Sequence, residues 1–357
     1  MKTFRRLSIA QQTAQHLRDG IRQGRWKGRL PGVVRLSQEL GVSTHTLRAS
    51  LRLIEKEGLV ALSADQRSRQ VVAKAPRTKD TFRIGLLLYE PLADENAKVQ
   101  QLIQEIRHRL ENAGLNVFFS TETLKSLHHD RARVTRYVQS EEADAWIVFG
   151  GSKPVIEWFA DQPFPALAIF GRSNEVPIAS VAPDMATAAT AATKHLLQLG
   201  HRRIVNLCRK PRRLPQPGQP EQAFLAELKA AGVSAGDFNL PDWTETPQGL
   251  HDLLSSLFRV TPPTALIINE VPLYMAVQQF LAQKQLRVPE DVSLIADNAD
   301  PTFAWFQPSV AHISWSPEPI VRRTLRWATS AQRGRADRSQ IRYPAEFIPG
   351  GTTAKAR

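Results

Sequence analysis

The chain has one cysteine in 357 residues, Cys208. A lone thiol forms no internal disulfide, and its VNLCR surroundings read as strand rather than as a reactive site. No apolar run reaches the roughly 18–20 residues needed to span a bilayer. The amino terminus, MKTFRRLSIAQQ, is basic but lacks the apolar stretch of an export signal. These absences set the expectation of a cytoplasmic protein with no membrane partner. Catalytic signatures are missing as well: there is no G-x-S-x-G elbow, H-E-x-x-H, G-x-x-x-x-G-K-[ST] loop or C-x-x-C. His128-His129-Asp130 is only superficially metal-like. It opens a helix, where adjacent rings face apart, so solvated histidines are expected. Neither enzyme activity, cofactor nor metal is expected.

What the chain does have is an uneven charge. Residues 1–80 hold 17 Lys and Arg against 6 Asp and Glu, a net of +11 out of +13 for the whole chain. A basic amino-terminal module on a near-neutral body is the footprint of a nucleic-acid reader. Leu30 to Val60 reads as helix, tight turn, helix and the start of a strand. Gly41 supplies the left-handed residue that ends the first helix. Ser43 is placed to cap the second by accepting from the Thr46 N–H. Leu47, Leu51 and Ile54 share the inward stripe, leaving Thr44, His45, Arg48 and Arg52 outside. Strands are expected around Leu59–Leu62 and Gln70–Ala73, with a polar, basic tip at 63–69 between them. That order makes a winged helix-turn-helix, whose second helix suits a DNA major groove.

The segment resembles the winged helix of GntR-type bacterial transcription regulators. The residues that carry the likeness are Leu30-Pro31, Leu36, Leu40-Gly41-Val42-Ser43, Thr46-Leu47-Arg48, Leu51 and Glu57-Gly58-Leu59-Val60. Upstream, His16-Leu17, Ile21, Gly24 and Trp26 fit its first helix. The chain departs at Val33-Val34, where the family often has Glu-Arg, and at Thr44, where it often has a basic residue. The resemblance implies that Thr44, His45, Thr46 and Arg48 approach base edges, with Ser43 capping their helix. Arg35, Arg52, Arg67 and Arg69 are then expected on phosphates, which position without specifying sequence. The expected partner is a double-stranded operator, read by a homodimer as a pseudo-palindrome.

After a polar linker at 75–81 the pattern becomes short apolar runs alternating with amphipathic stretches. Strands are expected at 82–88, 115–119, 145–149, 166–170, 203–207, 265–268 and 292–295. Helices are expected at 95–112, 185–199, 221–231 and 272–285. This alternation makes parallel sheets covered by helices. The length exceeds one such sheet, so two lobes are expected. The body resembles the effector domain of LacI/GalR-type regulators, a two-lobed α/β fold like that of periplasmic binding proteins. Asp184, Lys194-His195-Leu196, Leu199-Gly200-His201-Arg202-Arg203-Ile204 and Val288-Pro289-Glu290-Asp291-Val292-Ser293-Leu294-Ile295 carry most of the likeness. Pro263-Thr264-Ala265, Ile169-Phe170-Gly171-Arg172 and the closing 347–353 add to it. The expected division is a head at 1–74 and an effector domain at 82–353. Its first lobe takes about 82–179 and 302–332, and its second about 180–301 and 333–353.

The resemblance implies a small effector, often a sugar, in the cleft between lobes. Ligands of such sheets lie beyond the carboxyl ends of the strands. That nominates Tyr89, Glu90, Phe170, Arg172, Asn269, Glu270, Asp297 and Asn298, with Trp305 and Trp315 as stacking platforms. The family often has an arginine before a Gly-aromatic pair; here that stretch is Pro220-Glu221-Gln222-Ala223-Phe224. The basic, proline-rich run at 209–220 is read as a solvated surface loop, with Arg212 or Arg213 as the alternative source of the missing cation. An alternative for the whole body is a dimerisation or protein-docking platform with no small-molecule effector.

Overall fold

A computed structural model of the chain describes residues 9–22, 26, 28–56, 59–62, 69–71 and 82–357. Arg67, Gly24, Gly58, most of the wing tip and the 75–81 linker lie outside the described residues. Contacts divide the chain into two compact units, Met1–Tyr89 with Leu110–Ile147, and Glu90–Arg109 with Val148–Arg357.

The amino-terminal region holds α1 (Ile9–Arg22), α2 (Val33–Glu39), α3 (Thr44–Lys56), β1 (Val60–Leu62) and β2 (Arg69–Val71). Leu17, Leu36, Leu47, Leu51 and Ile54 are fully buried and form one small core with Trp26 and Val60. The turn between α2 and α3 forms as its residues require. Gly41 takes φ +63°, and the Val42 N–H reaches the Ser37 carbonyl at 3.1 Å. The Thr46 N–H donates to Ser43 Oγ at 3.1 Å, so α3 starts on a capped turn. The two wing strands pair antiparallel, with Val60 opposite Val71 and Leu62 opposite Arg69. The Leu30 N–H donates to the Arg69 carbonyl and the Val71 N–H to the Gly28 carbonyl, both at 2.9 Å, tying the strands to the start of α2.

The body runs β3 (Arg83–Leu87), α4 (Ala97–Asn112), β4 (Asn116–Phe119), α5 (Arg131–Ser140), β5 (Ala145–Phe149), α6 (Lys153–Ala160), β6 (Ala166–Ile169), β7 (Ala179–Pro183) and α7 (Met185–Gln198). It continues β8 (Ile204–Leu207), α8 (Lys210–Arg213), α9 (Gln219–Ala230), α10 (Pro247–Val260), β9 (Ala265–Ile268), α11 (Val271–Gln283) and β10 (Ser293–Ala296). After a 3-10 turn at Pro301–Trp305 come β11 (Ala311–Trp315), α12 (Glu318–Gln332), β12 (Gln340–Tyr343) and β13 (Ala345–Ile348). Two sheets result, in the orders β12-β7-β6-β5-β3-β4 and β13-β11-β10-β9-β8. Most strands are buried along their whole length, as parallel strands covered on both faces must be.

The topology corrects the expected division of the late segments. β11 pairs parallel with β10 and antiparallel with β13, so 311–315 belongs to the second sheet, not the first. β12 pairs parallel with β7, so 340–343 belongs to the first sheet, not the second. The chain therefore passes between sheets after Trp315 and again after Tyr343, and α12 lies between those crossings. His201 follows the Gly200 turn that ends α7. It is buried, with Nδ1 2.9 Å from Thr264 Oγ1 and Nε2 3.0 Å from Ser293 Oγ and 2.9 Å from the Ala354 carbonyl. It staples the carboxyl-terminal tail to two strand ends, and burial holds its pKa below the usual range.

Candidate DNA-binding surface and effector cleft

On α3, Thr44, His45, Arg48 and Arg52 are exposed, and Thr46 is half-buried. This follows from the stripe that buries Leu47, Ser50, Leu51 and Ile54 on the opposite side. Ser50 Oγ donates at 2.8 Å to the Ala10 and Thr46 carbonyls, fixing α3 against α1. Arg35 is exposed on α2. Arg69 is the exception among the expected phosphate contacts: its Nε lies 2.5 Å from Glu55 Oε1. That pairing ties β2 to the outward side of α3, close to Arg52.

At the carboxyl ends of the body strands, the expected solvated loop is solvated only in part: Lys210, Pro211, Leu214 and Gln216 are exposed, while its arginines are drawn in. Arg212, on α8, turns inward and contacts both Asp297, just after β10, and Glu221, at the start of α9. Arg212 Nη2 is 2.5 Å from Glu221 Oε1. Glu221 is 1% and Asp297 4% exposed, so both carboxylates depend on this one guanidinium for charge balance. Asn269, at the end of β9, donates through Nδ2 to Asp297 at 3.1–3.2 Å. Burial pushes the Asp297 carboxyl up to about 6, against the pull of Arg212 and Asn269. Arg213 is also buried, donating to the Cys208 carbonyl at 3.0 Å and pairing with Asp242. Of the two arginines named as alternative cations, Arg212 is therefore the one that meets Asp297 and Glu221.

Arg172 meets the same loop from β6. Gly171, at φ +73°, passes so close to Gly151 that a Cβ would sit 2.6 Å from its carbonyl oxygen, and this turn directs the next side chain. Arg172 Nη2 then donates to the carbonyls of Pro211, Leu214 and Gln216 at 2.9, 3.2 and 2.7 Å. Arg209 completes the loop, with Nη2 2.7 Å from Glu270 Oε2 and Nη1 3.8 Å from Glu245. Glu270 raises the Arg209 pKa most, and Glu90 adds to it at a distance.

The two expected stacking platforms differ. Trp315 is 7% exposed. Its Nε1 donates to Asn298 Oδ1 at 3.2 Å, Phe170 meets it edge-on at 5.8 Å, and Lys98 Nζ lies 4.1 Å from its ring centroid. Partial burial lowers the Lys98 pKa to about 8. Trp305, at the end of the 3-10 turn, is 89% exposed. Tyr89 stacks on His129 at 5.1 Å. The solvated-histidine expectation holds for exposed His128 but not for His129, whose ring nitrogens are both buried without a partner among the described residues. Lys98, Arg212 and Glu221 were missed or set aside by sequence reasoning; the basic Arg209–Arg213 run was the available signal for Arg212. Among the described residues no cluster of metal-ligand type is present, and no helix is long and apolar enough to cross a membrane.

Residues 9–70 match the gntR family of bacterial regulatory proteins, and residues 193–353 match the periplasmic binding protein-like domain. No curated protein matches the chain. Among solved structures, the lac repressor dimer bound to operator and an anti-inducer aligns at a TM-score of 0.65 and 15% identity, covering 78% of this chain and 96% of that one. A LacI family transcriptional regulator from Bifidobacterium animalis subsp. lactis aligns at 0.63 and 22%, covering 77% and 98%. A LacI family regulator from Enterococcus faecium with bound ribose aligns at 0.60 and 18%, covering 77% and 100%. The chain is a DNA-binding transcription regulator. It joins a helix-turn-helix head that matches the gntR family to a parallel-sheet body that matches the periplasmic binding protein-like domain.

Proposed function

We propose that the chain is a cytoplasmic, homodimeric repressor whose operator affinity is set by a small polyhydroxylated metabolite, a sugar or close relative, bound at the carboxyl ends of the body strands. The head comprises residues 1–74, 75–81 is the linker, and the two sheets form the effector domain. Arg48, with Thr44, His45 and Thr46, reads base edges, while Arg35 and Arg52 hold phosphates. The observation that carries the effector reading is the convergence of Arg212, Asp297 and Asn269, planar donors and acceptors suited to vicinal hydroxyls. Effector hydroxyls accept from Arg212 and Asn269 and donate to Asp297, beside the Phe170–Trp315 pair. A ligand there competes for the contacts between Arg172 and the 211–216 loop. Its differential affinity for the two arrangements shifts their populations.

The filled loop also favours a second reading, in which 209–218 occupies the effector position permanently and the body is a dimerisation or docking platform. One experiment separates the two. Anisotropy titrations of a labelled duplex, enriched from a random pool, are run with a panel of pentoses, hexoses and their phosphates. A shift of roughly five- to 150-fold with one compound supports the effector reading. No shift with any compound, and no thermal stabilisation by any of them, supports the platform.

A further inference from the structure

Residues 322–342 contain seven arginines, no lysine and one acidic residue, Asp337. This run stands out in a body that carries only +2 outside the first 80 residues. Four of the seven are engaged. Arg323 is buried, with Nη1 2.6 Å from Asp337 Oδ2, and Arg342 donates to Asn174 at 2.7 Å. Arg322 lies 3.9 Å from Glu318, and Arg326 lies 3.5 Å from the Tyr343 hydroxyl. The other three, Arg333, Arg335 and Arg338, are exposed on the turn between α12 and β12. Among the described residues no carboxylate pairs with them.

The turn is ordered. Gly334 takes φ +69°, and the N–H groups of Arg333 and Arg335 donate to the Ser330 carbonyl at 3.1 and 3.0 Å. Asp337, the one local acid, faces inward: one oxygen takes Arg323 and the other takes the Ser339 N–H at 2.9 Å. It cannot neutralise the outward arginines. Arg333 has an ordinary role near the negative end of α12, but Arg335 and Arg338 lie past the helix.

β12 runs parallel to β7, and β7 to β6, so this turn is at the amino ends of those strands. Phe170 and Arg172 follow the carboxyl end of β6. The arginine turn is therefore at the opposite end of the sheet from the effector residues, and its ligand is not the effector. Guanidinium groups presented on a capped turn, unpaired and away from the metabolite site, match the phosphates of a nucleic-acid backbone.

We infer that Arg333, Arg335 and Arg338 form a second, sequence-independent DNA contact, made by the effector domain on operator-flanking phosphates. The inference rests on the DNA-binding reading. Six residues of turn span at most about 20 Å, enough for two or three phosphates.

The test compares the full chain with R333S/R335S/R338S on the most enriched duplex from a random pool, between about 50 and 300 mM salt. The triple variant is expected to lose roughly ten- to hundredfold in affinity near 100 mM. Its log-log salt slope should be shallower by about 2–3, at 0.9 per phosphate. R131S/R133S/R136S, which removes the same charge from exposed α5, is expected to match the unaltered chain. An unchanged slope in the turn variant, or equal loss in both variants, overturns the inference. A changed sedimentation coefficient with unchanged DNA binding makes the turn a self-association surface and overturns it too. If the unaltered chain binds no duplex, the DNA-binding reading itself fails, a result distinct from these.

Discussion

The Arg212 guanidinium lies between the Asp297 and Glu221 carboxylates, one just past β10 and the other at the start of α9. Two neighbouring helices and a strand end 85 residues further on thus meet through one side chain. It neutralises two nearly buried carboxylates.

Arg212→Met is expected to destabilise the effector domain by about 3 kcal/mol, because it leaves two buried carboxylates without a counter-charge. Denaturant midpoints of the full chain read this directly. A change below about 1 kcal/mol means the pair is solvated in solution. Asp297→Ala should remove the response to an effector while leaving operator affinity without effector intact. Retention of the response places the site elsewhere.

Lys98 supplies a pH signature. Its folded pKa of about 8 lies below the usual lysine value of 10.5, so the unfolded chain holds more protons between those two values. Stability contributed by this group therefore rises with pH across that window. Lys98→Met keeps an apolar stem over Trp315 without the charge. Melting profiles should show the variant more stable than the original chain near pH 7 and converging with it above pH 10. A constant offset at all pH values contradicts the assignment.

Ser43→Ala should free the Thr46 N–H, at a cost of about 1 kcal/mol to the first turn of α3. Hydrogen exchange in the full chain is the appropriate measurement, because only the local opening is at issue. Thr46 is expected to exchange roughly fivefold faster, with Leu102 on α4 unchanged as the control. Equal rates at Thr46 would mean that the cap is lost in solution.

Arg48→Ala is expected to weaken an enriched duplex by about 1–3 kcal/mol and a random duplex much less. Equal loss on both makes Arg48 a phosphate contact.

The head was readable in the sequence because its determinants are local. Gly41 and Ser43 act within four residues, and Leu47, Leu51 and Ile54 repeat at helical spacing. Most body strands were readable for the same reason, as short apolar runs between turns. The site was less so. Arg212 and Asp297 are 85 residues apart, and nothing local separates a buried arginine loop from a solvated one. Trp305 and Trp315 are equivalent as letters, yet one is 89% and the other 7% exposed, because only the second ends a strand inside a sheet. The late segments were expected in the other lobes because a strand's own residues do not name its partner: β11 takes β10 and β13, and β12 takes β7, far upstream.

The most direct test of the central claim is selection of duplexes from a random pool by the purified full chain at about 100 mM salt. The account predicts enrichment of a two-fold symmetric site with half-site centres about one helical turn, or a multiple, apart. A folded protein that enriches no sequence would contradict it.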